Sequence, residues 1–214
     1  MPSYYLLWLA IFFAWVFLGL RWQPYFAARP FVKSAMAIFL ALFCLSTPEA
    51  ILAIMSIGFA LSAIGDFFLD LRNDKYFIHG LIAFFLAHVA FVVYLFAHMP
   101  PFVSFTSFEW SLVIGLPVIA IGFYLWIYSS LPKDMKIPVA AYSTIITLMG
   151  IAALTSQLPS LLLPVGAVLF IASDAILAVE RFKFKIPMGD KLNWLFYASG
   201  QILLAVGVLS AVGA

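Results

Sequence analysis

Two aspartates that lie inside long apolar runs are the residues of this sequence best suited to chemistry. Asp66 follows Gly65 in one run, and Asp174 follows Ser173 in another. A charged side chain near the centre of a membrane-spanning helix costs at least about 2.5–3.5 kcal/mol, so each aspartate needs an explanation. Two carboxyl groups can act as general acid and general base when one holds a proton and the other is ionised. We therefore predict that Asp66 and Asp174 form a catalytic pair, without assigning the acid and the base between them.

Five further polar residues are candidates for binding substrate or for adjusting the protonation of the aspartates. They are Lys33, Asp70, His88, Tyr197 and Gln201. Asp70 lies four residues after Asp66 and so shares its helix face. Arg72 and Lys75 follow closely, however, and favour a solvated Asp70 at the membrane surface. His88 stands near the middle of its run, where it either meets the aspartates or satisfies a neighbouring polar group.

Spacing along the helices places the candidates at one depth. Asp66 and Asp174 lie six and seven residues before the arginine that follows each run, and Tyr197 lies six residues after a lysine. With a rise of about 1.5 Å per residue, all three lie about 9–10 Å from the membrane surface that carries these basic residues. Lys33 begins its run at the same surface and can reach this layer. The spacing therefore predicts a cavity that opens to one side of the membrane.

The composition identifies the elements that must hold these residues. The chain has 214 residues, of which 66% are apolar and 9% are charged. Soluble domains carry roughly 25% charged residues, so these 11 basic and nine acidic side chains are too few to solvate a globular surface. This excludes a soluble enzyme, a disordered chain and a nucleic-acid-binding protein. We predict an integral membrane protein.

Eight apolar runs are long enough to cross the hydrocarbon layer as helices. They span residues 4–20, 30–46, 50–71, 78–98, 110–131, 137–156, 160–180 and 192–212. None of them shows the alternation of apolar and polar residues that is typical of a transmembrane β-barrel. The predicted fold is therefore all-α, a polytopic bundle of eight transmembrane helices that forms a single domain over residues 1–214.

The basic residues predict the orientation of this bundle. All 11 of them flank the first, third, fifth and seventh connections between the runs, and none flanks the other connections or the termini. Because basic residues concentrate in cytoplasmic loops, we predict that the odd connections are cytoplasmic and that both termini are on the other side. The membrane that we expect is the plasma membrane, which for a bacterium is the inner membrane.

Several familiar catalytic arrangements are excluded by the sequence. It contains no G-x-S-x-G nucleophile elbow, no P-loop and no H-E-x-x-H zinc motif. The G-x-G-D motif of intramembrane aspartyl proteases fails because Ala63 occupies its first glycine position. His79 and His98 are about 28 Å apart along one helix, too far to share one zinc ion with His88. We predict neither a metal site nor a cofactor.

The order and spacing of the candidate motifs resemble those of the lysoplasmalogenase-like membrane proteins over roughly residues 5–210. The matching positions are Lys33, Gly65-Asp66, Phe67-Phe68-Leu69, Gly80, Phe84, Ala87-His88, Leu169-Phe170-Ile171, Ser173-Asp174, Tyr197 and Gln201. Two positions depart from the family pattern. Ser34 stands where proline commonly follows the lysine, and Phe91 stands where an aromatic hydroxyl is common. These departures concern substrate choice.

The resemblance implies eight helices and hydrolysis of the vinyl-ether bond of lysoplasmalogens, without a cofactor. The products are a fatty aldehyde and glycerophosphoethanolamine or glycerophosphocholine. In this interpretation Asp66 and Asp174 act as the acid and as a base or charge-stabilising group, while Lys33, His88 and Tyr197 bind the head group or adjust the pair. The expected partners are a lysophospholipid substrate and bilayer lipids, and no nucleic acid or protein partner is expected.

Two other classes of function fit buried aspartates. A small transporter or a proton- or cation-coupled channel would use them as an ion relay, and a receptor-like protein would bind lipid without turnover. A relay needs polar groups through the whole membrane, whereas the ionisable residues here occupy about a third of its thickness. This distribution favours a cavity that opens to one side.

Overall fold

The computed structural model describes residues 3–71 and 73–212, and these form eight α-helices, three short 3-10 turns and no strand. The helices are α1 (Tyr4–Leu20), α2 (Arg29–Leu45), α3 (Leu52–Asp70), α4 (Phe77–Phe96), α5 (Ser107–Tyr128), α6 (Lys136–Leu154), α7 (Leu162–Phe182) and α8 (Gly189–Val212). The all-α class is therefore confirmed. Arg72, from which the depth of Asp66 was predicted, lies outside the described residues.

The helix bounds differ from the predicted apolar runs by at most three residues. The start of α5 shows why the shifts occur. Its first turn is fixed by a capping box, in which Thr106 Oγ1 accepts the Glu109 N–H at 3.3 Å and the Glu109 carboxylate accepts the Thr106 N–H at 2.6 Å. Polar capping residues belong to the helix but not to the apolar run, so apolarity alone places the start too late.

The exterior of the bundle is apolar enough to need a membrane. Trp8 and Trp15 of α1 are 68% and 66% exposed, and α5 presents Ile114 and Val118 at 62% each. Within the described residues, six helical stretches, one for each of α3 to α8, are long and apolar enough to cross a membrane. The chain is a multi-pass integral membrane protein. Since α1 and α2 have only 17 residues each, eight crossings stay a prediction.

Neighbouring helices close most of the bundle into a ring. In chain order α1, α2, α3 and α4 pack one against the next, α4 packs against α6, and α6, α7 and α8 follow before α8 returns to α1 and α2. Helix α5 lies outside this ring and packs against α6. Ile127 is its one buried residue. The helices that form this ring carry all seven predicted site residues.

Helices α7 and α8 approach each other backbone to backbone. A Cβ atom on Gly200 would lie 2.9 Å from the carbonyl oxygen of Gly166, and one on Gly166 would lie 2.9 Å from that of Gly200. Gly207 makes a similar approach, 2.9 Å from the backbone nitrogen of Leu163. Small residues at such crossings let membrane helices pack closely. This contact brings Asp174 on α7 beside the site residues of α8.

Ion pairs gather the charged helix ends at one end of the bundle. They join Arg21 to Asp190 at 2.9 Å, Arg29 to Asp70 at 2.7 Å and Arg181 to Asp74 at 2.7 Å. The Lys183 ammonium group also donates to the carbonyl oxygen of Trp126 at 2.9 Å. Charged residues from the first, third and seventh connections thus meet at one end, which we call the charged end.

Candidate active site

Asp66 is held at the centre of a four-residue polar cluster. It projects from α3 and is fully buried, with Oδ1 3.2 Å from the Lys33 ammonium nitrogen of α2. Its Oδ2 accepts a hydrogen bond from the Tyr197 hydroxyl of α8 at 2.7 Å. One turn further along α8, the Gln201 side-chain amide donates to the Tyr197 oxygen at 2.9 Å. Four of the predicted site residues are therefore connected by consecutive polar contacts. As predicted, Lys33 reaches the level of Asp66 and Tyr197.

Asp174 has a different set of partners. Its Oδ2 accepts a hydrogen bond from the Tyr142 hydroxyl of α6 at 2.6 Å. Within the described residues it forms no ion pair, in contrast to Asp66. Its side chain is only partly buried, because Asp174 faces open space inside the bundle. The two carboxyl groups are thus alike in accepting a phenol hydrogen bond and unlike in their access to a cation.

The two aspartates line the same polar cavity, whose volume is about 120 Å³. Lys33 and Tyr197 line it as well, and so do Arg21, Glu180 and Asp190 towards the charged end. A polar molecule in this cavity reaches both carboxyl groups, which is the arrangement that acid-base catalysis requires. The described residues contain no group of three or more histidine, cysteine, aspartate or glutamate side chains placed to hold a metal ion.

Asp174 also lines an apolar groove of about 190 Å³ between α5, α6 and α7. This groove and the polar cavity therefore meet at one carboxyl group. A molecule with an apolar part and a polar part can place the junction between them beside Asp174.

His88 touches neither aspartate directly. Its Nδ1 donates to the carbonyl oxygen of Phe84 at 2.7 Å, so the histidine satisfies a neighbouring backbone group on its own helix. The buried imidazole packs edge to face against Phe170, with ring centroids 4.8 Å apart, and against Tyr142 at 5.4 Å. His88 is therefore linked to Asp174 through Tyr142, and to Asp66 through Phe170 and Tyr197.

The expectation that Asp70 is a solvated surface carboxylate is wrong. Asp70 is 4% exposed, and both its oxygens accept hydrogen bonds from Arg29, at 2.9 Å and 2.7 Å. The first turn of α2 lies against the last turn of α3, so a basic residue distant in sequence displaces water from Asp70. Although Asp70 lines the polar cavity, its carboxylate ties α2 to α3.

Two aromatic residues of the site were missed in the sequence. Tyr142 lies six residues after Lys136, the same spacing that placed Tyr197 at the level of the aspartates, so the signal was present. Trp194 lines the polar cavity, with its ring centroid 5.9 Å from the Lys33 ammonium nitrogen. Its indole N–H donates to the carbonyl oxygen of Ala14, which the sequence gives no means to foresee.

The sequence matches the YhhN family over residues 28–208. The chain belongs to the YhhN family. It is 30% identical to a protein named lysoplasmalogenase from Mycobacterium bovis over 184 residues, which cover 84% of this chain and 69% of the relative. Lysoplasmalogenase TMEM86A of Homo sapiens is 28% identical over 211 residues, which cover 95% of this chain and 76% of the relative. No solved structure matches the chain.

Membership of the YhhN family confirms the resemblance that the motifs indicated. The matched range contains every predicted site residue, from Lys33 to Gln201, together with Tyr142. These two relatives, one bacterial and one mammalian, are named for the same activity.

Proposed function

We propose that this YhhN family member is a lysoplasmalogenase, which hydrolyses the vinyl-ether bond of 1-alkenyl lysophospholipids. The observation that carries the proposal is the pair of carboxyl groups on one polar cavity, of which one has a cationic partner and one has none. The names of the relatives point to the same reaction.

The different partners suggest a division of roles. An ammonium group 3.2 Å from Asp66 stabilises a carboxylate there, so Asp66 is the ionised member that balances positive charge. Asp174 has a phenol donor and no cation among the described residues, so it is the member that holds and donates the proton. Asp174 is then the general acid, and Asp66 is the charge-stabilising group.

The reaction proceeds by addition of a proton to carbon. Asp174 donates its proton to the β-carbon of the vinyl ether, and the electron pair of the double bond forms the new C–H bond. The resulting oxocarbenium ion lies beside the Asp66 carboxylate. Water then adds to the α-carbon and returns a proton to Asp174. The hemiacetal then loses its hydroxyl proton as its C–O bond to glycerol breaks, and the leaving glycerol oxygen takes up a proton, giving a fatty aldehyde and a glycerophospho-alcohol.

The head group is placed towards the charged end of the bundle. Lys33 and Arg21 line the polar cavity there and offer cationic groups to the phosphate. Tyr197 and Gln201 hold Asp66 in position, and His88 packs the ring of Tyr142. The partners that we propose are a lysophospholipid and the surrounding bilayer lipids.

The proposed topology puts the charged end in the cytoplasm. All 11 basic residues flank odd-numbered connections, so the positive-inside rule gives eight crossings with both termini on the opposite side. The polar cavity then opens to the cytoplasm, and the membrane that we propose is the plasma membrane.

Aldehyde release by purified protein tests this function. We expect wild-type protein to release fatty aldehyde from 1-alkenyl-glycerophosphoethanolamine, and Asp66→Asn and Asp174→Asn each to lower kcat by about 10²–10⁴-fold. Asp134→Asn, which changes an exposed carboxyl in the turn before α6, is the matched control and retains activity. In D₂O the aldehyde gains deuterium next to its carbonyl group. Full activity in both aspartate variants, or no aldehyde from wild type, contradicts the proposal.

A further inference from the structure

The apolar groove between α5, α6 and α7 has no role in the reaction as described so far. We propose that it binds the single hydrocarbon chain of the substrate and sets the chain length that the protein accepts. This inference rests on the proposed function, which places the vinyl ether beside Asp174, a lining residue of both the groove and the polar cavity.

The wall of the groove suits a hydrocarbon chain. It is lined by aliphatic and aromatic side chains such as Leu116, Ala120 and Ile171. Two of its polar groups are already satisfied by backbone carbonyls, since the Tyr124 hydroxyl donates to Lys136 at 3.1 Å and the Thr147 hydroxyl donates to Ser143 at 2.6 Å. A chain in the groove therefore gains burial without leaving these hydroxyls unpaired.

The direction of the chain follows from which end of the groove is closed. Towards the charged end, Ile127 and Leu131 pack with Val139 into a small cluster that also contacts Phe182. The proposed head-group position in the polar cavity lies towards the same end, beside Arg21, Glu180 and Asp190. A chain that starts at Asp174 thus runs away from the charged end, towards the interior of the bilayer.

The position of α5 gives the chain a route from the lipid. This helix lies outside the ring and has one buried residue, so it forms only the outer wall of the groove. A lysolipid that lies in the membrane already has its chain beside α5 and its head group near the surface. It can enter the polar cavity and the apolar groove by lateral diffusion in the membrane, so its hydrocarbon chain does not cross water.

The chain that fills the groove determines the specificity we expect. Beyond Asp174 the groove continues for about 8 Å, which is the rise along α6 from Tyr142, the hydrogen-bond partner of Asp174, to Thr147, so a long chain contacts more of the wall than a very short one. Each methylene group of the substrate that is buried contributes about 0.8 kcal/mol to binding. We therefore expect the groove to make the protein prefer substrates with longer hydrocarbon chains. Ala120 lies midway along it and controls the space that is available.

Filling the groove at Ala120 tests the inference. We expect Ala120→Trp to raise KM for a 16-carbon alkenyl lysolipid by about tenfold, with KM for a 4-carbon substrate and both kcat values little changed. Val118→Trp is the matched control, since Val118 is on the same helix, is 62% exposed and lines neither compartment. Leu116→Ala, which removes bulk at the end of the groove away from the charged end, shifts the preference towards longer chains. Equal effects of Ala120→Trp on both chain lengths would overturn the inference.

A binding measurement separates this inference from the proposed function. The probe is 1-O-hexadecyl-glycerophosphoethanolamine, a saturated ether that has no vinyl bond to protonate, titrated into protein in lipid nanodiscs. We expect Ala120→Trp to weaken its binding by about tenfold and Val118→Trp to leave it unchanged. If wild type makes no aldehyde but Ala120→Trp binds the probe more weakly than Val118→Trp does, the hydrolase proposal fails and the proposal that the groove binds a hydrocarbon chain is supported. If aldehyde forms and the contrast is absent, the groove proposal fails alone.

Discussion

Lys33 is the residue that makes the two carboxyl groups different. Both Asp66 and Asp174 accept a hydrogen bond from a tyrosine, at 2.7 Å and 2.6 Å, but only Asp66 has an ammonium group within 4 Å among the described residues. In the proposed reaction, this one cation distinguishes the ionised carboxyl group from the proton donor. Two predictions at the scale of single residues follow from this asymmetry.

The first prediction concerns Lys33 and the charge that it balances. Lys33→Met leaves the buried Asp66 carboxylate without its cation, so we expect a loss of roughly 3 kcal/mol in the free energy of unfolding. Adding Asp66→Asn removes the uncompensated charge and should recover most of that stability, while activity stays lost. Denaturant unfolding in detergent micelles measures both. A double variant as unstable as Lys33→Met would contradict the pairing.

The second prediction concerns the phenol that holds the acid. Tyr142→Phe removes the 2.6 Å hydrogen bond to Asp174, so the carboxyl group loses its fixed orientation. We expect kcat to fall by about 2–10-fold with little change in KM, in keeping with about 0.5–1.5 kcal/mol for a hydrogen bond between neutral groups. Tyr124→Phe is the control, because that hydroxyl bonds the Lys136 carbonyl instead. Unchanged kcat in Tyr142→Phe would exclude this role.

Sequence spacing predicted part of the site and missed the rest for definable reasons. Distance from a basic helix end correctly predicted that Asp66, Lys33 and Tyr197 lie close together. It says nothing about which helices are neighbours. For that reason it could not pair Asp70 with Arg29 across the α2–α3 contact, and it gave Asp70 a solvated position that the structure contradicts.

At the scale of helices, the contact between α7 and α8 is the one that least tolerates change. Gly200 meets backbone atoms of α7 at 2.9 Å, and backbone cannot move aside as a flexible side chain can. This crossing fixes Asp174 relative to Tyr197, so its geometry bears on the site as well as on stability.

We therefore predict that Gly200→Ala is destabilising by about 1–3 kcal/mol, through separation of the two helices. Activity should fall with it, because the distance between the carboxyl groups changes. Gly122→Ala on α5 is the matched control, since nothing lies within 4 Å of its added Cβ, and it should be neutral or slightly stabilising. Thermal unfolding monitored by circular dichroism compares the two. A stable, fully active Gly200→Ala protein would contradict the close approach.

Helix existence could be predicted from apolar runs, but the place of each helix in the bundle could not. The runs of α5 and α7 are similarly apolar, yet α5 lies outside the ring and α7 lies within it. In a membrane both faces of a helix contact apolar surroundings, so the hydrophobic pattern that separates core from surface in soluble proteins loses its contrast. Close contacts such as the one between α7 and α8 depend on shape, here on glycines at the crossing.

At the scale of the whole molecule, charge is distributed unevenly between the two ends. We predict that reporters fused to the C-terminus are active outside the cytoplasm, whereas reporters fused within the α5–α6 connection, which carries Lys133 and Lys136, are active inside it. Paired alkaline phosphatase and fluorescent-protein fusions measure both positions in a bacterial host. A fluorescent C-terminal fusion in the cytoplasm would invert the topology, and the polar cavity would then open to the outside.

Asp174 lines both the polar cavity and the apolar groove, and this arrangement also affects the reverse of the proposed reaction. Hydrolysis by the proposed route leaves one product in oil and the other in water. The fatty aldehyde dissolves in the bilayer beside α5, while the glycerophospho-alcohol is diluted into the aqueous phase at the charged end. Resynthesis would need both to return to one carboxyl group from different solvents, so mass action holds the turnover in the forward direction. In the proposed reaction, each product therefore leaves the site towards the phase in which it dissolves.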